Sequence, residues 1–283
     1  MTMRSSISIT TRIADLDALR HVNNRVYEQY CAEARFRLLE EAGYPLQELL
    51  DRGLTLRPLA SFVKFARQQR SGVQLQVASE AFPLAGGEIV WNHRISQPDG
   101  EIACQIQDKT QTLDRQGQPV ALLPEIEAGP DQLLIEDIPA FSDGCSRIYS
   151  PCSVIYTDVD VLGSLPLAAY WRLFEEGRHR FGEQLGLVFD KLVQLDAHIF
   201  WVSGTYRCYQ AIRPGQQLLV YTWLERVARI RAIFRQEIRS AGGQTLLGAS
   251  REEHLIVSLS NSRPRNLPPD LAVTVADYIE YPA

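Results

Sequence analysis

The chain has 283 residues, enough for one large domain or two ordinary ones. Its 45% hydrophobic and 22% charged residues are those of a globular protein, and a formal charge of −5 argues against a nucleic-acid partner. No apolar run approaches the roughly 20 residues that a membrane helix needs, and residues 1–12 lack the apolar segment of a secretion signal, which predicts a cytoplasmic protein with no membrane association. Five cysteines without C-x-x-C spacing, none near a histidine at ligand spacing, read as idle thiols in a reducing compartment and predict no metal site.

Residues 6–10 alternate polar and apolar, which predicts a first strand. Asp15-Leu16-Asp17 and His21-Val22-Asn23-Asn24 follow as a loop. Asn23 or Asn24 suits an N-cap, because a side-chain oxygen there accepts an unpaired N–H of the first helical turn. Val26, Tyr27, Tyr30, Cys31, Ala34 and Leu38 then recur at helical spacing, with Glu28, Glu33, Arg37 and Glu41 expected mostly on other faces. Gly43 suits the left-handed residue that ends a helix. The helix is thus about 19 residues or roughly 28 Å long, enough to cover a sheet of five or six strands. A short helical turn is expected at 45–51. Strands are expected at 59–67, 73–77, 88–96 and 102–113, with a hairpin turn at Gln97-Pro98-Asp99-Gly100. Strand, helix and four strands make one α+β unit. Residues 119–150, broken by prolines and glycines, read as a linker.

The second half repeats the plan. Residues 154–156 are an expected strand, and Pro166 sits where a first-turn proline is tolerated. Leu167, Tyr170, Trp171, Phe174, Phe181 and Leu185 form the apolar stripe of a second helix. Strands are expected at 199–209, 217–225, 229–239 and 245–258, and the tail 261–283, proline-rich at first, over the surface. The halves match without gaps at an offset of 143 positions: Asp15 meets Asp158, Asp17 meets Asp160, Tyr27 meets Tyr170, Arg35 meets Arg178 and Gly43 meets Gly186. Such identities mark an internal duplication, with domains expected at 1–142 and 143–283.

The loop resembles the D-x-D-x-x-G-H-V-N-N signature of acyl-thioester hydrolases of the 4-hydroxybenzoyl-CoA thioesterase type, and Tyr27 with Glu33-Ala34-Arg35 matches that family's helix. Acyl-carrier-protein thioesterases are similar. The resemblance implies a tandem, or double, hotdog fold: in each half a long helix wrapped by a curved antiparallel sheet, the two halves forming an intramolecular pseudo-dimer with sites at their shared interface. It implies hydrolysis of a coenzyme A or acyl-carrier-protein thioester without metal or redox cofactor. Two departures stand out. Arg20 occupies the family's glycine position, and Ser164-Leu165-Pro166-Leu167 replaces His-Val-Asn-Asn in the second copy.

In the family the second aspartate of the pair does the chemistry, which implies Asp17 and, by repeat, Asp160. A thioester carbonyl needs a nucleophile or base on one side and hydrogen-bond donors on the other; Asp17 either attacks directly or deprotonates water. Its structural alternative is a turn carboxylate, and Asp160, stripped of polar partners, leans to that reading. His21 either polarises the carbonyl or is a hydrogen-bonded structural histidine. Asn23 and Asn24 are cap residues before they are catalytic or substrate-binding ones. Lys64, Arg67 and Arg70, or Arg229, Arg231 and Arg235, are candidates for coenzyme A phosphates or an acidic carrier, against a default of solvated strand faces. Two rival functions are a non-catalytic acyl-thioester binder, suggested by Arg20 and the degraded second motif, and a 3-hydroxyacyl dehydratase, for which the N-P-x-H-type loop is missing.

Overall fold

A computed structural model describes residues 3–124 and 129–281. Residues 125–128 of the expected linker and 282–283 of the tail lie outside the described residues. Two compact units are formed by residues 1–136 with 155–171, and by 137–154 with 172–283. Residues 155–171 belong by sequence to the second repeat but pack with the first unit. Among the described residues, no helix is long and apolar enough to cross a membrane.

The first unit contains β1 (Met3–Thr10), α1 (Asn24–Glu41), α2 (Leu46–Arg52), β2 (Thr55–Phe65), β3 (Gln74–Pro83), β4 (Glu88–Ser96) and β5 (Ile102–Leu113). Its antiparallel strands run in the order β1-β3-β4-β5-β2. The Asn23 side chain accepts from the Arg25 N–H at 3.0 Å and so starts α1. Gly43, at φ +90°, follows its end. Val26, Tyr27, Tyr30, Cys31, Ala34 and Leu38 are buried, as the periodicity predicts. Leu38 and Leu39 pack with Leu49, Trp91 and Leu162 in one apolar core.

The second unit holds β6 (Ile148–Ser153), most of α3 (Leu167–Gln184), α4 (Phe189–Gln194), β7 (His198–Cys208), β8 (Gln217–Ala228), β9 (Arg231–Ser240), β10 (Leu246–Val257) and α5 (Pro269–Val275). Its strand order, β7-β10-β9-β8-β6, is the first unit's order read from the other end. Helices α1 and α3 have 18 residues each, β2 and β7 have 11, and β5 and β10 have 12, so the duplication is present element by element. The fold is α+β, a tandem hotdog: in each unit one long helix lies on an antiparallel sheet.

Several details differ from the sequence reading. The first strand of the second unit is 148–153, not 154–156. Pro151 made this stretch look like linker, but among the described residues β6 pairs only with β8, and an edge strand has room for a residue without an N–H. Strand β2 starts at Thr55 and carries a bulge after Pro58 for the same reason. The tail is anchored as well as laid over the surface: α5 begins with Pro269 in its first turn and buries Leu271 and Val275. Glu28, expected off the apolar face of α1, is fully buried on it.

Candidate active site

The two D-x-D loops are one turn built twice. In the first, the Asp15 carboxylate accepts from the Arg12 N–H at 2.7 Å and the Tyr30 hydroxyl at 2.7 Å, and pairs with the Arg12 guanidinium at 2.8 Å. The Asp15 carbonyl accepts from Asn23 N–H, tying the loop to the helix start. Asp17 Oδ1 accepts from the N–H groups of Leu19 at 2.8 Å and His21 at 3.2 Å. In the second copy Asp158 accepts from the Ile155 N–H at 2.9 Å. Asp160 Oδ1 accepts from Leu162 N–H at 3.0 Å and Ser164 N–H at 2.9 Å. The turns demand the same backbone: Arg20 stands at φ +64° and Gly163, its counterpart, at +78°.

At the second aspartate the copies differ in one contact. Asp160 Oδ2 accepts from the Ser164 hydroxyl at 3.0 Å, whereas both hydrogen bonds at Asp17 go to Oδ1. Burial pushes the Asp160 carboxyl up, against the pull of its Ser164 and Leu162 bonds and of the Arg35 charge.

Arg35 is the centre of a buried polar cluster in the first unit. Glu28, Cys31 and Arg35, spaced i, i+3, i+7, share one face of α1. Arg35 Nη2 donates to Glu28 Oε1 at 2.7 Å, and Nη1 donates to Asp108 Oδ2 on β5 at 2.5 Å and to His93 Nε2 on β4 at 3.3 Å. A guanidinium can only donate, so His93 Nε2 is the acceptor. Its Nδ1 therefore carries the proton and donates to Ser79 Oγ at 2.7 Å. Burial, helped by Arg35, holds His93 well below its ordinary value and keeps it neutral. Burial pushes Glu28 up to about 7, although Arg35 draws it down. Its Oε2 has no hydrogen-bond partner among the described residues.

The second unit carries the cluster in altered form. Arg178 pairs with Glu252 and donates to Gln236 Oε1 at 3.0 Å. Gln236 Nε2 donates to Thr222 Oγ1 and to the Phe174 carbonyl, both at 2.9 Å. An amide and Thr222 thus replace His93 and Ser79 at matched positions. Glu252 sits below its ordinary value: burial would raise it, but Arg178 and His254 outweigh burial. Trp171 stands where the first repeat has Glu28.

The remaining sequence candidates fall as follows. Asn23 is the cap of α1, Asn24 its first residue, and His21 is half-buried in the loop before them. Asp17 lies close enough to Tyr27, on the first turns of α1, to raise its hydroxyl, behind the larger effect of burial. Lys64, Arg67 and Arg70 are exposed at the end of β2 and in the loop after it, Arg67 paired with Glu101. Arg231 is exposed on Glu253, but Arg235 is only 2% exposed. Sequence reasoning missed Glu28, His93 and Asp108. The signal for Glu28 was its spacing from Cys31 and Arg35; nothing local marks the other two.

A family model described as the thioesterase-like superfamily matches residues 11–130 and 154–275. A comparison with curated protein sequences finds no match. Among solved structures, a 12:0-ACP thioesterase from Umbellularia californica superposes with a TM-score of 0.70 at 13% identity, over 93% of this chain and 95% of its own. An acyl-ACP thioesterase from Bacteroides thetaiotaomicron gives 0.60 at 11% identity, over 89% and 98%. At such identities the likeness is one of fold.

Proposed function

The chain belongs to the thioesterase-like superfamily, and from that membership we propose that it hydrolyses acyl thioesters of coenzyme A or acyl carrier protein, with Asp17 as the reacting carboxylate. The observation that carries this reading is the contrast between the loops. Two backbone N–H groups fix Asp17 through Oδ1 and leave Oδ2 to a water or a thioester carbon, whereas the Ser164 hydroxyl occupies that oxygen in Asp160. Asp17 either attacks the carbonyl carbon to form an anhydride that water cleaves, or takes a proton from the attacking water. Both routes consume one water and release a carboxylic acid and a thiol.

In this reading His21 and Asn24 act at the helix start, where N–H groups and the helix dipole favour a developing oxyanion. Asn23 holds that helix start in place. Lys64, Arg67 and Arg70 offer exposed cations to the phosphates of coenzyme A or to an acidic carrier. The two acyl-ACP thioesterases of like fold support a carrier-protein substrate. Five cysteines without C-x-x-C spacing suit a reducing cytoplasm.

The test is thiol release from acyl-CoA, aryl-CoA and acyl-carrier-protein substrates. Asparagine keeps the Oδ1 acceptor, so the loop survives in Asp17→Asn. That variant is expected to lose at least about 100-fold in kcat/KM, the scale of a positioned acid or base, while Asp160→Asn stays within a few-fold. Undiminished hydrolysis in Asp17→Asn would sink the assignment. Arg20 at the strained turn favours a second reading, a binder without turnover; saturable acyl-CoA binding by calorimetry with no thiol released would establish it.

A further inference from the structure

The sheet of the second unit has two differently used faces. Gln236 on β9 bonds the Phe174 carbonyl of α3, so Gln236 faces the helix. Strand alternation puts Arg235, Glu237 and Arg239 on the opposite face. The segment 138–147 runs over that face and leaves a cavity of about 270 Å³. Its walls include Phe141, Arg147, Tyr209, Arg235, Glu237 and Arg239.

Three guanidinium groups meet there, with Glu237 and Asp143 as the acidic wall residues, and Arg239 also donates to the Gly243 carbonyl at 3.1 Å. Glu237 serves Arg147 at 3.1 Å and Arg239 at 2.8 Å. Arg147 also lies 3.9 Å above the Phe141 ring. Arg235 is the least satisfied. Glu225 is 3.4 Å away and already engaged by Arg251 through two contacts of 2.8 Å. Arg235 donates to the Pro139 carbonyl, yet its Nε has no partner among the described residues, although the residue is only 2% exposed. A buried guanidinium with an unused donor is costly unless something accepts from it.

The first unit shows that covering a sheet does not require these charges. There Gln107 on β5 donates to the Gln132 carbonyl at 2.9 Å and accepts from Leu134 N–H at 2.7 Å, and a neutral amide holds the segment. Asn92 and Ser96 occupy the positions of Arg235 and Arg239. The arginines are an addition of the second repeat.

We propose that this cavity binds a small oxyanion, the phosphate or carboxylate group of a ligand, among the guanidinium groups of Arg235, Arg147 and Arg239 on its walls. Guanidinium groups match both anions through paired N–H donors. The site is independent of the hydrolytic loop. The experiment is calorimetric titration of the full chain with inorganic phosphate and, in a separate arm, with butyrate, each repeated on Arg235→Met and Arg239→Gln. Wild type is expected to bind one equivalent of at least one anion, and the arm that saturates identifies the source. Arg235→Met should abolish binding. Should that variant fail to fold, Arg239→Gln, at a partly exposed position, should still raise Kd about tenfold. Arg37→Gln, at a surface pair with Glu40 and Glu41 on α1, should leave the titration unchanged. Binding of neither anion, or binding that survives the Arg235 and Arg239 changes, overturns the proposal.

Discussion

Arg20 and Gly163 occupy the same position of the same turn, both with positive φ. For an L-residue with a side chain that conformation costs about 1–2 kcal/mol, and glycine gives back about 0.5–1 kcal/mol of it through its looser unfolded chain. Arg20→Gly is therefore expected to stabilise by about 0.5–1 kcal/mol. A Cβ at Gly163 meets nothing within 4 Å, so only the backbone opposes it, and Gly163→Ala should destabilise by about 1 kcal/mol. Urea unfolding of both variants checks the pair; equal shifts of the same sign would show that the turns are not equivalent. Asp17 and Asp160 obey the same logic. Each has a structural duty through Oδ1, so a catalytic duty at Asp17 must use what that duty leaves over.

At the scale of elements, α3 lies closer to its sheet than an ordinary helical residue at its centre would allow. A Cβ on Gly177 would come 2.5 Å from Val220 Cγ1 and 2.8 Å from Gln236 Nε2. Ala34, its counterpart in α1, is wholly buried without difficulty. Gly177→Ala gains about 1 kcal/mol of helix propensity but meets an overpacking cost of about 1–3 kcal/mol. Net destabilisation is expected, and a lowered midpoint in thermal unfolding checks it; a raised one would mean that the sheet yields. Both long helices and most strands were legible, because periods of 3.6 and 2 survive in the sequence and the repeat confirms each from the other. Strand β6 and helix α5 were not, because Pro151, Pro264 and Pro268 mimic a linker when strand edges and helix starts are unknown. The candidate site divides in the same way. Its loops are contiguous and were readable from Asp15 to Asn24. The buried cluster joins Arg35 to Asp108 across 73 positions, through a strand pairing that no local pattern announces.

At the scale of the molecule, the duplication has diverged where its halves are charged inside. Buried ion pairs are weak contributors to stability, and an uncompensated one is costly. The helix-side cluster of the second unit has one arginine against one glutamate, with His254 and Gln236 as neutral companions. The first has Arg35 between two carboxylates, each with one oxygen that has no partner among the described residues. That imbalance sets a direction for stability against pH. Burial raises Glu28 from 4.5 to about 7 in the folded chain. Between those values the folded state therefore holds a proton that the unfolded state has lost. Unfolding free energy falls as pH rises through this window, by up to about 1.4 kcal/mol per pH unit, and Glu28 contributes no further slope above it. Asp15, Glu252 and Glu280 are shifted the other way, and their contribution is lost as pH falls through their lowered values. Stability should thus peak on the mildly acidic side and decline toward neutrality. Glu28→Gln keeps an acceptor for Arg35 and removes the titrating proton. Thermal unfolding from pH 4 to pH 8 should show the wild-type midpoint falling above about pH 5, and the Glu28→Gln midpoint holding level over the same range. Parallel curves for the two proteins would place the extra proton elsewhere, with Asp108, whose carboxyl burial also raises, as the next group to replace.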